Sequence, residues 1–268
     1  MTEVEITTPR GVALSGTLTE PVDAKGSVVV FAHSFLGDRH SSGRFDRLAG
    51  AYRAAGYATM RFDFSGCGLS GDDAITTAHQ VEDLRSVCAW LADRGYANQI
   101  IHAHSFGAVT ALKARPSQAK TMILTSPVTG PMLFDWSQIF SPEQLDELEA
   151  HGATRIPDDG PGPREWFVIT RETLLDLSLN KSDELLTDLP YPLLIVFDAD
   201  DLEVDIVEQA QENFTILPAG SRIHIAHEAQ FSDPEQTEAL VDISVRWATA
   251  RVNPRMASRV AKPESSVA

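Results

Sequence analysis

A serine placed between an apolar run and a helix-forming run is the feature that most constrains this fold. The apolar run covers residues 98–104, Ser105 follows it, and residues 106–114 favour a helix. The residues two positions before and after the serine are small, Ala103 and Gly107. This spacing predicts a tight strand–serine–helix turn that lifts the Ser105 hydroxyl above the end of a sheet. A buried helix start capped by Ser105 is the simpler alternative.

Strand-like and helix-like segments alternate on both sides of this serine. Apolar runs predict strands at 27–32, 57–62, 98–104, 121–125, 193–197 and 222–226, and periodic patterns predict helices at 42–55, 77–94, 106–114 and 234–251. Residues 4–7 and 12–19 alternate apolar and polar, which indicates an N-terminal β-hairpin. This alternation predicts an α/β fold with a mostly parallel sheet and helices on both faces.

One long segment interrupts the alternation. Residues 128–189 carry several prolines and glycines, three short helical patterns and many aromatic side chains. We expect a lid inserted into a core that comprises residues 1–127 and 190–251. Residues 252–268 have no periodicity and are expected to form a mobile tail.

Composition excludes several classes of function. The chain carries 22 basic and 38 acidic residues, a formal charge of −16, which disfavours binding to nucleic acids and to anionic membranes. It has no apolar run of the roughly 20 residues that a membrane span needs, and its acidic N-terminus does not resemble a secretory signal. Cys67 and Cys88 are the only cysteines. We therefore expect a soluble, cytoplasmic protein whose partner is a small molecule, and the sequence leaves its oligomeric state open.

A serine nucleophile needs donors for the oxyanion, and one loop offers them. His33, Ser34 and Phe35 directly follow the predicted strand 27–32. We expect the main-chain N–H groups of Phe35 and Phe106 to form an oxyanion hole. His33 is expected to play a structural role by binding nearby backbone.

A nucleophilic serine also needs a base and an acid that orients it. The acid is expected at the carboxyl end of strand 193–197, where several acidic residues occur between Asp198 and Glu203. Among these acidic residues, the spacing from the end of the strand favours Asp201 as the acid that orients the base. Acidic runs at strand ends are often only solvated surface, which is the alternative here.

Five features together resemble the α/β-hydrolase superfamily, and within it the cinnamoyl/feruloyl esterase-like carboxylesterases. They are the loop 33–35, the run Arg-Phe-Asp-Phe-Ser-Gly-Cys-Gly-Leu-Ser-Gly at 61–71, the turn at Ser105, Asp201, and Phe-Ser-Asp at 231–233. The resemblance covers about residues 10–250 and implies hydrolysis of a carboxylic ester, or a thioester or lactone, through an acyl-enzyme. It implies neither a metal nor an organic cofactor.

The base is where this chain departs from that family. The family's catalytic histidine stands two residues before a phenylalanine, and the corresponding residue here is Ala229. Three explanations stay open. Ala229 replaces the histidine, by engineering or by natural loss; His227 serves as base through a shifted loop; or the site never used a base at this position. His224, His102 and His104 are expected to pack or to support the site.

The aromatic residues of the inserted segment suggest a substrate pocket. Phe134, Trp136, Phe140, Trp166 and Phe167 are candidates for an apolar site above Ser105, or for the small core of the segment itself. The sequence thus predicts a serine hydrolase that Ala229 has crippled. The alternative is a non-hydrolytic protein on the same fold, either a ligand-binding pseudo-hydrolase or a lyase or cyclase.

Overall fold

The computed structural model describes residues 1–22, 26–160, 162–203, 206–227, 231 and 237–253. Strands in these residues are β1 (Thr2–Thr7), β2 (Ala13–Thr19), β3 (Ser27–Ala32), β4 (Ala58–Phe62), β5 (Asn98–His104), β6 (Ala119–Thr125), β7 (Ala153–Pro157), β8 (Trp166–Thr170), β9 (Leu193–Phe197) and β10 (Arg222–Ile225). The α-helices are α1 (Arg44–Ala54), α2 (Thr77–Ala92), α3 (Phe106–Ala114), α4 (Trp136–Ile139), α5 (Pro142–His151), α6 (Arg171–Ser178), α7 (Ser182–Leu186), α8 (Ile206–Glu212) and α9 (Thr237–Arg251).

Eight of these strands form one sheet in the order β1-β2-β4-β3-β5-β6-β9-β10. β2 pairs antiparallel with β1 and with β4, whereas all pairs from β4 to β10 are parallel. The carboxyl ends of β3, β5, β6 and β9 therefore meet at one edge of the sheet, where sites of α/β proteins form.

Strand β3 shows why helices cover both faces of the sheet. All six of its residues are buried. Val28 and Val30 belong to the apolar cluster that includes residues of α2 and α3, and Val29 and Phe31 belong to the cluster that includes residues of α1 and α9. Full burial of each such side chain is worth about 1.5–3 kcal/mol. The predicted α/β class, with helices on both faces, is confirmed.

The segment between β6 and β9 differs in detail from its prediction. It contains the four helices α4 to α7 and an antiparallel hairpin of β7 and β8, which the sequence patterns did not indicate. A third apolar cluster joins Phe140, Phe167 and Ile169 of this segment to Cys67 and Ile75 of the core. The Ile75 N–H also donates a hydrogen bond of 3.0 Å to the carbonyl of Val168. Whether the segment between β6 and β9 acts as a lid stays a prediction.

The remaining elements bear on several smaller predictions. Helix α8 was not predicted, and the last helix is described from Thr237 onward. Most of the predicted tail, residues 254–268, lies outside the described residues. Cys67 and Cys88 are both buried and free. Within the described part of the chain, each helix is too short or too polar to cross a membrane.

Candidate active site

Ser105 lies in a strained turn between β5 and α3. Its backbone has φ 52° and ψ −120°, an uncommon conformation for a residue with a side chain. The Ser105 N–H donates a hydrogen bond of 2.9 Å to the carbonyl of Thr125. The hydroxyl makes no capping hydrogen bond to α3, so the simpler alternative of a capping serine is wrong.

The close packing of this turn explains why Gly107 is a glycine. A Cβ at Gly107 would lie 2.3 Å from the carbonyl oxygen of Ala32 and 2.4 Å from that of His33. Helix α3 therefore starts in direct contact with the end of β3. This contact brings the Ser105 turn next to the loop that follows β3.

The loop after β3 contains His33 and Phe35, whose main-chain N–H is one of the two donors predicted for an oxyanion hole. His33 is buried; its Nε2 accepts a hydrogen bond of 3.0 Å from the Phe64 N–H, and its Nδ1 lies 2.9 Å from the Ser34 carbonyl. Nδ1 therefore carries the proton. Burial lowers the pKa of His33 and keeps it neutral, in the predicted structural role. Among the described residues, none accepts a hydrogen bond from the N–H of Phe35 or Phe106, which leaves both donors available.

The motif at 61–71 holds this loop in place. Asp63 is buried and accepts hydrogen bonds from the Arg39 N–H at 2.7 Å, from Arg39 Nε at 2.9 Å and from the Leu69 N–H at 2.9 Å. These donors hold the pKa of Asp63 below its usual value in spite of burial. Gly68 passes so close that a Cβ there would lie 2.4 Å from the Asp63 carboxyl carbon.

Asp201 and Asp198 are both buried, so the alternative of a solvated acidic surface is wrong for this pair. Oδ2 of Asp201 accepts hydrogen bonds from the Ser126 hydroxyl at 2.8 Å and from the Asp198 N–H at 2.9 Å. Burial raises the pKa of Asp201, and the two hydrogen bonds oppose that rise. Asp198 in turn accepts a hydrogen bond of 2.8 Å from the Phe231 N–H, which ties the acid loop to the segment after β10.

Ser105 and Asp201 follow strands that are separated only by β6. Neighbouring strands lie about 4.8 Å apart, so the two residues leave the sheet roughly 10 Å apart. Thr125 and Ser126 bridge this gap, because Thr125 binds the Ser105 N–H and Ser126 binds the Asp201 carboxylate. Sequence patterns predicted roles for Ser105 and Asp201 but none for Ser126. The position of Ser126 directly after the predicted strand 121–125 was the available signal.

The position expected for the base is not described. Ala229 lies outside the described residues, as do Ser232 and Asp233. His227 is exposed and follows β10, and His224 is exposed within that edge strand. Whether His227 approaches Ser105 stays a prediction.

Two other histidines are committed to neighbouring groups. Arg44 Nη1 donates a hydrogen bond to Nε2 of His104, and Nδ1 of His104 lies 3.2 Å from the Thr125 carbonyl. Burial and the Arg44 guanidinium lower the pKa of His104 to about 3. The Tyr52 hydroxyl lies at a hydrogen-bond distance of 3.0 Å from Nδ1 of His102, and burial lowers the pKa of His102 to about 3. With these lowered pKa values, both rings are neutral near pH 7.

A cavity of about 900 Å³ adjoins this site. Its lining includes Ser34 of the oxyanion loop, His104 of β5 and Phe167 of the inserted segment. The lining does not include Phe134, Trp136 or Trp166.

The five aromatic candidates fall into two groups. Phe140 and Phe167 are buried in the third apolar cluster, as the alternative of a small core predicts. Phe134 and Trp136 stack with ring centroids 4.8 Å apart, and Trp166 is 45% exposed. A pocket role for these three residues stays a prediction. No group of three His, Cys, Asp or Glu side chains in the described ranges could hold a metal ion.

A comparison with known protein families agrees with this fold. A sequence model of the Alpha/beta hydrolase family matches residues 29–240. The chain belongs to this family. Among curated protein sequences, none matches this chain.

Solved structures with the same fold include several esterases. Est1E from Butyrivibrio proteoclasticus, solved with ferulic acid bound, is 16% identical with a TM-score of 0.68, over 93% of this chain and 99% of that one. The esterase EaEST from Exiguobacterium antarcticum is 16% identical with a TM-score of 0.68, over 92% and 100%. An esterase domain from Rhodothermus marinus is 20% identical with a TM-score of 0.63, over 93% and 98%. At these identities the likeness establishes the fold alone.

Proposed function

We propose that this chain is a serine hydrolase that cleaves a carboxylic ester, or a thioester or lactone, through an acyl-enzyme on Ser105. The observation that carries the proposal is the bridge of Thr125 and Ser126, which binds the Ser105 turn on one side and the Asp201 carboxylate on the other. Ser105 has φ 52°, a strained backbone conformation for a residue other than glycine, and such strain often persists at functional sites.

This chain supplies a candidate group for each role in the reaction except that of the base that transfers the proton. The Ser105 hydroxyl attacks the acyl carbon, and the N–H groups of Phe35 and Phe106 stabilise the oxyanion of the tetrahedral intermediate. Asp201 orients the base, and water hydrolyses the acyl-enzyme. The base would stand at position 229, where the alanine methyl accepts no proton. Loss of one triad member lowers the rate by several orders of magnitude.

The other histidines near the sheet edge do not replace this base. His33, His102 and His104 each bind a neighbouring group, and burial lowers the pKa of all three. His227 is exposed after β10 and is the remaining candidate. We therefore propose low hydrolytic turnover for the chain as it stands.

One structural neighbour and the aromatic residues of the inserted segment motivate the proposed substrate type. The neighbour from Butyrivibrio proteoclasticus binds ferulic acid, and Trp136 stacks on Phe134 in the inserted segment of this chain. Membership of the cinnamoyl/feruloyl esterase-like group is part of the proposal, with a small-molecule ester as substrate.

Hydrolysis of p-nitrophenyl butyrate, a thioester and a lactone by the chain, by His227→Ala and by Ser105→Ala tests the proposal. We expect slow turnover that Ser105→Ala abolishes and His227→Ala leaves unchanged. Loss of turnover in His227→Ala would make His227 the base and contradict the role given to position 229. Turnover that survives Ser105→Ala would contradict the nucleophile. No turnover of any substrate, even with Ala229→His, would favour the non-hydrolytic alternative.

A further inference from the structure

Two arginines line the cavity of about 900 Å³ beside the Ser105 turn. Arg44 is the first residue of α1, and Arg61 lies in β4. The same lining includes Ser34 of the oxyanion loop and His104, which directly precedes Ser105. The cavity therefore borders the turn that carries the proposed nucleophile, and Ser105 itself is not among its lining residues.

Arg44 has no carboxylate at ion-pair distance among the described residues. Its one described hydrogen bond goes to the neutral ring of His104, and its Nε is buried without a partner among those residues. Asp198 and Asp201 attract it only from farther away. A partly buried guanidinium without a paired anion is unfavourable, and a bound anion removes that penalty.

Arg61 is even more buried, at 6% exposure. Nη1 of Arg61 pairs with Asp46, which is itself 43% exposed, and Nε of Arg61 is buried without a described partner. Arg44 and Arg61 thus line one cavity, and each has a buried Nε with no described partner, in a chain whose formal charge is −16. Guanidinium donors match the geometry of carboxylates and phosphates.

The carboxylates that line the cavity already accept hydrogen bonds from other groups. Asp63 binds Arg39, with Nη2 at 2.6 Å, and Glu3 binds Arg39 at 3.0 Å. Asp38 accepts main-chain hydrogen bonds from His40 at 2.7 Å and Ser41 at 3.0 Å.

The charged side chains on the side of the cavity near the β7–β8 hairpin also have partners. Arg164 pairs with Asp72 at 2.8 Å, and Asp158 accepts the Gly160 N–H at 2.8 Å. Among the described side chains that line the cavity, those of Arg44 and Arg61 have a buried nitrogen donor without a partner.

We propose that Arg44 and Arg61 bind an anionic group of the substrate, so that the substrate is an ester-type molecule carrying a carboxylate or a phosphate. The location beside Ser105 rests on the proposed function, whereas anion binding itself does not. Arg44 contacts His104, the residue before Ser105, so a bound anion would fix the acyl group of the substrate relative to Ser105.

Binding is tested first, without catalysis. Succinate and inorganic phosphate are titrated separately into the chain at constant ionic strength, by calorimetry and by thermal unfolding. We expect saturable binding and a higher Tm with at least one of them, and the stronger of the two identifies carboxylate or phosphate. Arg44→Gln and Arg61→Gln should weaken this binding at least tenfold, whereas Arg53→Gln, at the other end of α1, should not change it. No binding of either anion, or equal weakening by Arg53→Gln, would overturn the anion subsite.

A kinetic comparison then separates the subsite from the proposed function. In the Ala229→His background, kcat/KM for p-nitrophenyl hemiglutarate should exceed that for the neutral p-nitrophenyl butyrate at least tenfold, and Arg44→Gln should remove this preference. Hydrolysis without such a preference would overturn the anionic substrate and leave the hydrolase proposal standing. Anion binding without any hydrolysis in that background would overturn the hydrolase and leave the subsite.

Discussion

The Ser126 hydroxyl donates a hydrogen bond of 2.8 Å to Oδ2 of Asp201. Ser126 is itself held by its N–H, which donates to the Val196 carbonyl at 2.8 Å, and its φ of 47° is uncommon outside glycine. The carboxylate is thus oriented by a strained residue of the neighbouring strand end. Strain of this kind persists where the surrounding structure fixes it, as at functional sites.

Asp201 is expected to lower the stability of the fold at neutral pH. Burial raises its pKa, so ionisation opposes folding above the folded-state pKa, and this penalty disappears as the pH falls below the ordinary value. Asp201→Asn should raise the free energy of unfolding by about 1 kcal/mol at pH 7.5, and the gain should shrink toward pH 4. Urea unfolding at both pH values measures it.

The exposed Asp200 offers a matched control for this change. Asp200→Asn removes the same charge from a solvated position and should change stability by less than about 0.5 kcal/mol. A loss of stability in Asp201→Asn at pH 7.5, or an equal gain at both pH values, would contradict the expectation.

Gly107 should not tolerate even one methyl group. The added Cβ would overlap the carbonyl oxygens of Ala32 and His33, so Gly107→Ala should lower the free energy of unfolding by about 3 kcal/mol. Gly50 is the matched control, because it also lies in a helix and a Cβ there meets only Arg53 Nη2 at 3.9 Å. Gly50→Ala should stabilise by about 0.5–1 kcal/mol. Equal effects of the two changes in chemical denaturation would show that the turn has room to relax.

The buried histidines should make the protein sensitive to mild acid. The pKa of His102 is lowered to about 3, so below the unfolded value near 6.5 the unfolded chain takes up a proton that the folded chain does not. Stability attributable to His102 is complete above pH 6.5 and falls by about 1.4 kcal/mol per pH unit below it.

His102→Phe isolates this contribution, since the ring lies among Phe31, Phe45 and Tyr52. The variant should show a flatter loss of stability between pH 6.5 and pH 5 than the parent chain, whatever its stability at pH 7.5. Urea unfolding across this range gives the two slopes. Parallel curves for the two proteins would mean that His102 is protonated in the folded state as readily as in the unfolded one.

Sequence patterns predicted the elements that local chemistry determines. β3 is apolar after Ser27 because both of its faces are covered, and the small residues around Ser105 reflect a turn with no space for a Cβ at Gly107. The class of fold and the turn at Ser105 followed from these two facts.

Features that depend on contacts distant in sequence were not predicted. Ser126 and Asp201 are 75 positions apart, and Arg44 and His104 are 60 apart, so no local pattern relates them. The hairpin of β7 and β8 was missed because its strands are short and partly exposed, without a regular alternation of apolar and polar residues. Pairing between them, rather than local propensity, stabilises these strands.

The measurement that tests the central claim most directly is kcat/KM for p-nitrophenyl butyrate of Ala229→His relative to the parent chain. If Ser105 is a nucleophile that lacks its base, the histidine should raise kcat/KM at least 100-fold. Ala229→Gln, which adds bulk without a base, should give no rise, and Ser105→Ala or Asp201→Asn should remove most of the gain. A ratio near one, or a gain that persists without Ser105, would contradict the account.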